Sequence, residues 1–401
     1  MSDDPLPAGE VPTGPPYGSS SLAELMPAVA GCLGVAVPGR PDWDLPPARR
    51  VVVVLIDGLG ELNLRSRTGH APTLRRLLAQ TEADASGAPD VLRVGFPTTT
   101  ATSLASLGTG LPPGRHGMIG LEVLDPDRDV LFSELSWDAA VDPRRWQVHE
   151  TVFSRAHRDG VAVSHVAPAV FDGSGLTTAA LRGAEFAAAQ TLAQRVALTG
   201  DLVRAADRCL VFLYWEGLDK AGHVHGWQST EWTRELEQVD AAVGRLLELA
   251  PADVAVFVTG DHGMVDIDPT DRLDMRAVPG LLEGVAHLGG EPRARFGYCR
   301  PGADADVLTA WRAALGEQCF VVAGDEAVAT GWFGPVDAEV RRRIPGVLAV
   351  PHAPIALVDP ARQRPESLAL LGMHGGLSEI ESRVPLLRGF GSAGPARRRP
   401  R

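Results

Sequence analysis

Hydrophobic positions in this chain gather into three uninterrupted runs, and each run ends in acidic or imidazole side chains. VVVVLIDGLG has no polar residue between Val51 and Asp57. A run apolar at every position suits a central parallel strand covered on both faces, and the glycines after it signal a turn. RCLVFLYWEGLD leads a second such strand into Asp219, and ADVAVFVTGDHGM leads a third into Asp261 and His262. Between these two, EWTRELEQVDAAVGRLLELA places apolar residues at helical spacing, giving the order strand, helix, strand. The predicted fold class is α/β: a doubly wound, mostly parallel sheet with helices on both faces. In such sheets ligands bind outside the carboxyl ends of the strands, so residues roughly 160 to 200 positions apart can meet in one crevice.

The same patterning divides the chain. Residues 1–21, rich in Pro, Gly and Ser, are expected to form a disordered leader, and residues 391–401, with ARRRPR, a solvated basic tail. Residues 22–265 and 369–390 form the expected α/β core. Residues 266–368 form a small inserted α+β subdomain, after which the chain returns to deliver GMHGG. Within residues 121–205, VFSRAHRDGVAVSHVAP offers a helix and a strand that continue the sheet.

Composition narrows the function classes. Of 401 residues, 45% are hydrophobic and 22% charged, which is globular and not fibrous. A formal net charge of -12 disfavours a nucleic-acid polymer as partner, because such binding runs on clustered Lys and Arg. Cys32, Cys209, Cys299 and Cys319 show no CxxC spacing, no N-terminal segment reads as a secretion signal, and no run approaches about 18 apolar residues. A cytoplasmic protein without a membrane span is expected.

Candidate chemistry lies at the ends of the runs. Asp57, Asp219, His223, Asp261, His262 and His374 offer six oxygen and nitrogen ligands, a number suited to two adjacent divalent ions. Asp219 and His223 are four apart, so a helical turn would aim both at one ion, with His225 as the competing imidazole. His374 lies among Gly372, Gly375 and Gly376, a backbone able to approach a site closely. In FPTTTATSLASLGTG, small residues from Ala101 onward can form a closely packed helix whose N-terminal amides face an anion, with Thr100 near that end. A threonine hydroxyl becomes a useful nucleophile when a cation stabilises its alkoxide. A second reading of these threonines is a helix cap and packing surface. His116 has a similar glycine-flanked setting to His374, and Trp215, Trp227, Phe171 and Arg295 are candidate recognition residues that packing would equally explain.

IDGLG, FPTTTATSLASLGTGLPPGRHGMIG, YWEGLDKAGHVHG, VFVTGDHGM and GMHGG occur in an order that resembles the alkaline phosphatase superfamily, and within it the nucleotide pyrophosphatase/phosphodiesterase branch. The resemblance spans residues 51 to 376. It implies an alkaline phosphatase-like core in which Asp57, Thr100, Asp261 and His262 surround one zinc, while Asp219, His223 and His374 hold the other. It selects Thr100 over Thr98 and Thr99 as the nucleophile of a phosphoester hydrolase working through a covalent phosphothreonine. The branch typically has Asn three residues after the nucleophile to hold a phosphate oxygen, where this chain has Ser103, the candidate substrate contact. The residue before the nucleophile, often Lys in animal enzymes, is Thr99. Mixed imidazole and carboxylate ligands favour two zinc ions, with manganese as the second choice. The implied substrate is a small phosphoester, nucleotide-like or otherwise. Alternatives are another reaction of the superfamily (phosphomonoesterase, phosphonate hydrolase or phosphomutase) and a non-enzymatic metal- or phosphate-binding module.

Overall fold

The computed structural model describes residues 11–84 and 86–393. Six strands form the central sheet: β1 (Arg50–Ile56), β2 (Ala162–Ala167), β3 (Glu185–Ala188), β4 (Cys209–Trp215), β5 (Val254–Thr259) and β6 (Leu387–Phe390). Their order is β6-β5-β1-β4-β2-β3, and every pairing is parallel except that of β6 with β5. The three runs read from the sequence are therefore three neighbours, with β1 hydrogen-bonded to both β4 and β5. Their C-terminal ends lie side by side, which is what brings Asp57, Asp219, Asp261 and His262 together.

Strand β1 shows why a wholly apolar run was needed. Val51, Val53 and Leu55 point into one core with helices Leu25–Cys32, α1 (Thr100–Thr109) and Val152–Arg158. Val52, Val54 and Ile56 point into another, with helices Pro72–Glu82 and Leu192–Ala205 and, after α2 (Gly217–His225), helix α3 (Thr230–Leu249). A polar residue at any of these six positions would be buried without a partner.

Between β5 and β6 the chain builds a separate four-stranded antiparallel sheet from Val285–Glu291, Ala294–Cys299, Val347–Pro351 and Cys319–Ala323, in that order. Helix Asp304–Leu315 covers one face through Val307, Trp311 and Leu315. The other face, with Phe296, Tyr298, Leu348 and Val350, joins the core that α1 also occupies. This sheet is thus packed into the main body along its whole inner face.

A second link is polar. Arg293, at the tip of the hairpin Val285–Cys299, donates to the carbonyls of Pro351, Ala353 and Ile355 and to both carboxylate oxygens of Glu381. Glu381 also accepts from the Gly376 amide, two residues beyond His374.

The leader and tail differ in part from expectation. Residues 1–10 and 394–401 lie outside the described residues. The Gly14 amide donates to the Thr330 carbonyl at 3.0 Å, Trp332 donates to the Pro12 carbonyl at 2.8 Å, and the Tyr17 hydroxyl donates to the Trp332 carbonyl at 2.8 Å. Backbone pairing and one aromatic ring anchor this stretch where its small side chains could not. At the other end Ser392 and Ala393 donate to Leu247 and Ala250.

Arg293 and Glu381 are 1% and 0% exposed, so removing one partner leaves a buried charge unpaired. Arg293→Ala should destabilise the fold by about 3–5 kcal/mol, read from denaturant unfolding.

Candidate metal centre

Asp57 follows β1, where Gly58 turns the chain at a φ of +74°; a Cβ there would come within 3.0 Å of the Asp219 Cα. Glycine is thus needed both for the turn and for the close approach of α2. Helix α2 puts Asp219 and His223 on one face, His223 Nε2 lying 3.3 Å from Asp219 Oδ2, while His225 is exposed. Asp261 and His262 follow β5 in an irregular turn pinned from several sides. The Gly58 amide donates to Asp261 Oδ1 at 3.0 Å, Ser103 donates to the Asp261 carbonyl at 2.6 Å, and Asn63 both donates to and accepts from Met264.

The three imidazoles share one arrangement. His223 Nδ1 bonds the Gly372 carbonyl at 2.7 Å, His374 Nδ1 the Thr98 carbonyl at 2.9 Å, and His262 Nδ1 the Gly263 carbonyl at 3.0 Å. A carbonyl only accepts, so each Nδ1 carries a proton, and it is Nε2 that offers the lone pair whenever the ring is neutral, the tautomer a metal-ligating imidazole requires. Those Nε2 atoms face the carboxylates. His262 Nε2 lies 3.3 Å from Asp57 Oδ1, 3.6 Å from Asp261 Oδ2 and 3.3 Å from Thr100 Oγ1, and His374 Nε2 is 3.9 Å from Asp219 Oδ1. The rings of His262 and His374 stack at 3.6 Å.

Two groups have ligand atoms within 4.8 Å of one another: Asp57, Asp261 and His262, and Asp219, His262 and His374. His262 thus stands between the two, and His223 joins the second through Asp219. Asp57 Oδ1, Asp219 Oδ1 and Asp261 Oδ2 are buried without a hydrogen-bond partner. Such oxygens are costly in a folded core unless a cation takes them up, so the donor set fits a pair of divalent ions.

The electrostatics carry the same mark. Burial works against charge on Asp57, but His262 close beside it outweighs burial and holds this carboxyl below its usual value. Burial pushes Asp219 up to about 6, with the charge of Asp57 adding to the shift against that of His223. Burial and the Asp57 charge raise Asp261 well above the carboxylate range. For His262 burial is outweighed by Asp261 and Asp57, which lift it to about 10. Burial, with the charges of His262 and His223, holds His374 far below its ordinary value.

Thr100 is the first residue of α1, and its N-cap Thr99 makes no side-chain capping bond, which leaves the first helical amides free. Thr98 serves the neighbouring loop instead: its hydroxyl donates to the Gly376 carbonyl and accepts from the Gly375 amide. Ser103, the expected substrate contact, is fully buried and spends its hydroxyl on the Asp261 carbonyl, so it braces the ligand turn. His116 is equally buried, bonded to Ser106 and the Met118 amide on the far part of α1.

A cavity of about 820 Å³ opens over Asp57, Thr100, Asp219, His223 and His374, and Phe171 and Arg295 line it further out. Trp215 instead stacks under Arg195, and Trp227 packs on Trp232. Two residues in this cavity wall were not anticipated from the sequence. Tyr214, in β4, donates its hydroxyl to Asp57 Oδ2, and Glu291 enters from the hairpin tip. The one signal for Tyr214 was a phenol inside an otherwise apolar strand; Glu291 gave none.

Residues 51–377 match the family described as type I phosphodiesterase / nucleotide pyrophosphatase. An uncharacterized pyrophosphatase/phosphodiesterase of Schizosaccharomyces pombe is 25% identical over 211 residues, 50% of this chain and 43% of that protein, so the match spans less than half of the relative's length. Among solved structures, an inactive variant of murine ectonucleotide pyrophosphatase / phosphodiesterase 5 in complex with AMP superposes with a TM-score of 0.66 at 20% identity, over 87% of this chain and 88% of that one. Phosphonoacetate hydrolase from Sinorhizobium meliloti 1021, in complex with phosphonoformate, superposes with 0.64 at 20% identity, over 88% and 92%. At these identities the two structures establish a shared fold.

Because Tyr214 orients Asp57 from outside the ligand set, Tyr214→Phe should weaken divalent-metal affinity by about 10- to 100-fold while leaving the fold intact. Competition with a chromophoric chelator measures the first and far-ultraviolet circular dichroism the second.

Proposed function

This chain belongs to the type I phosphodiesterase / nucleotide pyrophosphatase family, and from that premise we propose that it is a two-metal phosphoester hydrolase with Thr100 as nucleophile. The observation that carries the proposal is the convergence of three Nε2 atoms on three carboxyl groups with unpartnered oxygens, with the Thr100 hydroxyl 3.3 Å from the imidazole between both groups. Residues 22–265 and 369–390 are the catalytic core in this reading, with 266–368 inserted.

Asp57, Thr100, Asp261 and His262 would hold one divalent ion and Asp219, His223 and His374 the other, zinc being favoured by the mix of imidazole and carboxylate. Bound ions supply positive charge that favours the threonine alkoxide and offsets the charge of the phosphoryl oxygens. Thr100 Oγ1 attacks phosphorus, the bond to the leaving alcohol breaks opposite to it, and a phosphothreonine forms at Thr100. Water then attacks phosphorus, the bond to Thr100 Oγ1 breaks, and the hydroxyl is restored. The free amides at the start of α1 face the phosphoryl group and add partial positive charge that needs no reorganisation. Tyr214 and the backbone carbonyls on each Nδ1 keep the ligand side chains aimed throughout.

Small phosphoesters, nucleotides among them, are the proposed substrates; the AMP held by the murine structural neighbour accords with this choice. The net charge of -12 argues against a nucleic-acid polymer. No described helix is long and apolar enough to cross a membrane.

Thr100→Ala should lower hydrolysis of bis(p-nitrophenyl) phosphate by at least about 10⁴-fold, the scale on which loss of a nucleophile is felt, with metal content near that of the wild type. Turnover at the wild-type rate would remove Thr100 from the mechanism. Dialysis against a chelator should abolish activity and zinc should restore it; restoration by manganese alone would assign the other metal.

A further inference from the structure

Glu291 is a carboxyl with no assignment in the chemistry above. It ends the strand Val285–Glu291, is 3% exposed, and lines the cavity beside Thr99, Thr100 and His374. Its Oε1 is buried without a hydrogen-bond partner, and its Oε2 lies 3.9 Å from His374 Nδ1, a nitrogen already committed to the Thr98 carbonyl. It belongs to neither group of clustered ligand atoms.

The surroundings hold this side chain in place. Gly375 has a φ of +126°, and a Cβ there would stand 2.7 Å from both Cγ and Cδ of Glu291, so the loop that carries His374 is hollowed at the one point where the glutamate enters. Glu291 pairs with Ala294 across a two-residue turn, and within that turn Arg293 makes five hydrogen bonds to fixed partners. A rigid tip that presents an unpartnered acceptor to a cavity is how a binding site is preorganised. A buried carboxyl oxygen without a partner is a standing cost, which a ligand donor would offset. Burial pushes its pKa up to about 8, with the charge of His262 and the Thr99 hydroxyl opposing. The unpartnered Oε1 of the carboxylate accepts, so its complement is a donor.

We propose that Glu291 is a specificity-determining residue that accepts a hydrogen bond from a hydroxyl on the esterified arm of the substrate, so that the site selects hydroxylated alkyl phosphoesters over unsubstituted ones. This rests on the phosphoester reading of the same site. The selected class is polyol-like, as in a glycerol or a sugar ester.

The test pairs two isosteric diesters, 2,3-dihydroxypropyl p-nitrophenyl phosphate and propyl p-nitrophenyl phosphate, with the metal-loaded wild type and Glu291→Leu. The wild type should prefer the dihydroxypropyl ester. Glu291→Leu should lower kcat/KM for that ester by about 10- to 100-fold while the propyl ester changes by less than about threefold. Its Tm should hold or rise, since no hydrogen bond of the buried Oε1 is lost. Equal losses on both esters, or a wild type without preference, would overturn the inference and leave Glu291 a structural support of the His374 loop. If the wild type turns over neither ester, the hydrolase reading fails, and calorimetry decides this one separately. The dihydroxypropyl ester should bind Thr100→Ala about 10- to 100-fold more tightly than Thr100→Ala/Glu291→Leu; equal binding, or none to either, overturns it.

Discussion

The crowding of three carboxyl groups, the buried Asp57 and Asp261 and the half-buried Asp219, is the constraint around which this structure is arranged. Each follows a wholly apolar strand, and the three strands are neighbours, so the sheet that gives the protein its core also forces the acids together. Water cannot reach Asp261, which like its neighbour His262 has no exposed surface. Burial first, and the charge of Asp57 after it, push Asp219 and Asp261 up, while His262 holds Asp57 down. A charge of opposite sign between them resolves the conflict, and the outward-facing Nε2 atoms lie where such a charge would sit.

Holding the cluster requires an outer layer drawn from the whole chain. Backbone carbonyls at Gly263, Gly372 and Thr98 fix the imidazoles, Tyr214 fixes Asp57, and the Gly58 amide and the Ser103 hydroxyl fix the Asp261 turn. Ser103 illustrates how a position can change task. Its side chain reaches the Asp261 carbonyl at 2.6 Å and so is tied to the turn that carries Asp261 and His262. Backbone groups need no particular side chain, which is why most of this layer left no trace in the sequence.

The inserted sheet belongs to the same system. Its inner face shares the core with α1, and Arg293 joins its hairpin tip to Glu381, which in turn holds the Gly376 amide. The loop bearing His374 is therefore braced from one side by Thr98 and from the other by the insertion. A rigid connection of this kind lets one element shape the cavity wall without altering the ligands beneath it.

Periodicity and residue type alone determined the α/β class, the three central strands and the acids at their ends, because a strand buried on both faces must be apolar throughout and polar residues can only follow it. They also determined that Asp219 and His223 share a helical face, since a spacing of four is a local property. The anchoring of residues 11–21 was not legible, as it depends on backbone pairing with Thr330 and Trp332 far along the chain. Nor was the bond from Tyr214 to Asp57, the occupation of Ser103, or the entry of Glu291 opposite Gly375. Local pattern records which face of an element is buried; which distant side chain fills the space above it is decided by packing between elements, and only the folded chain carries that information.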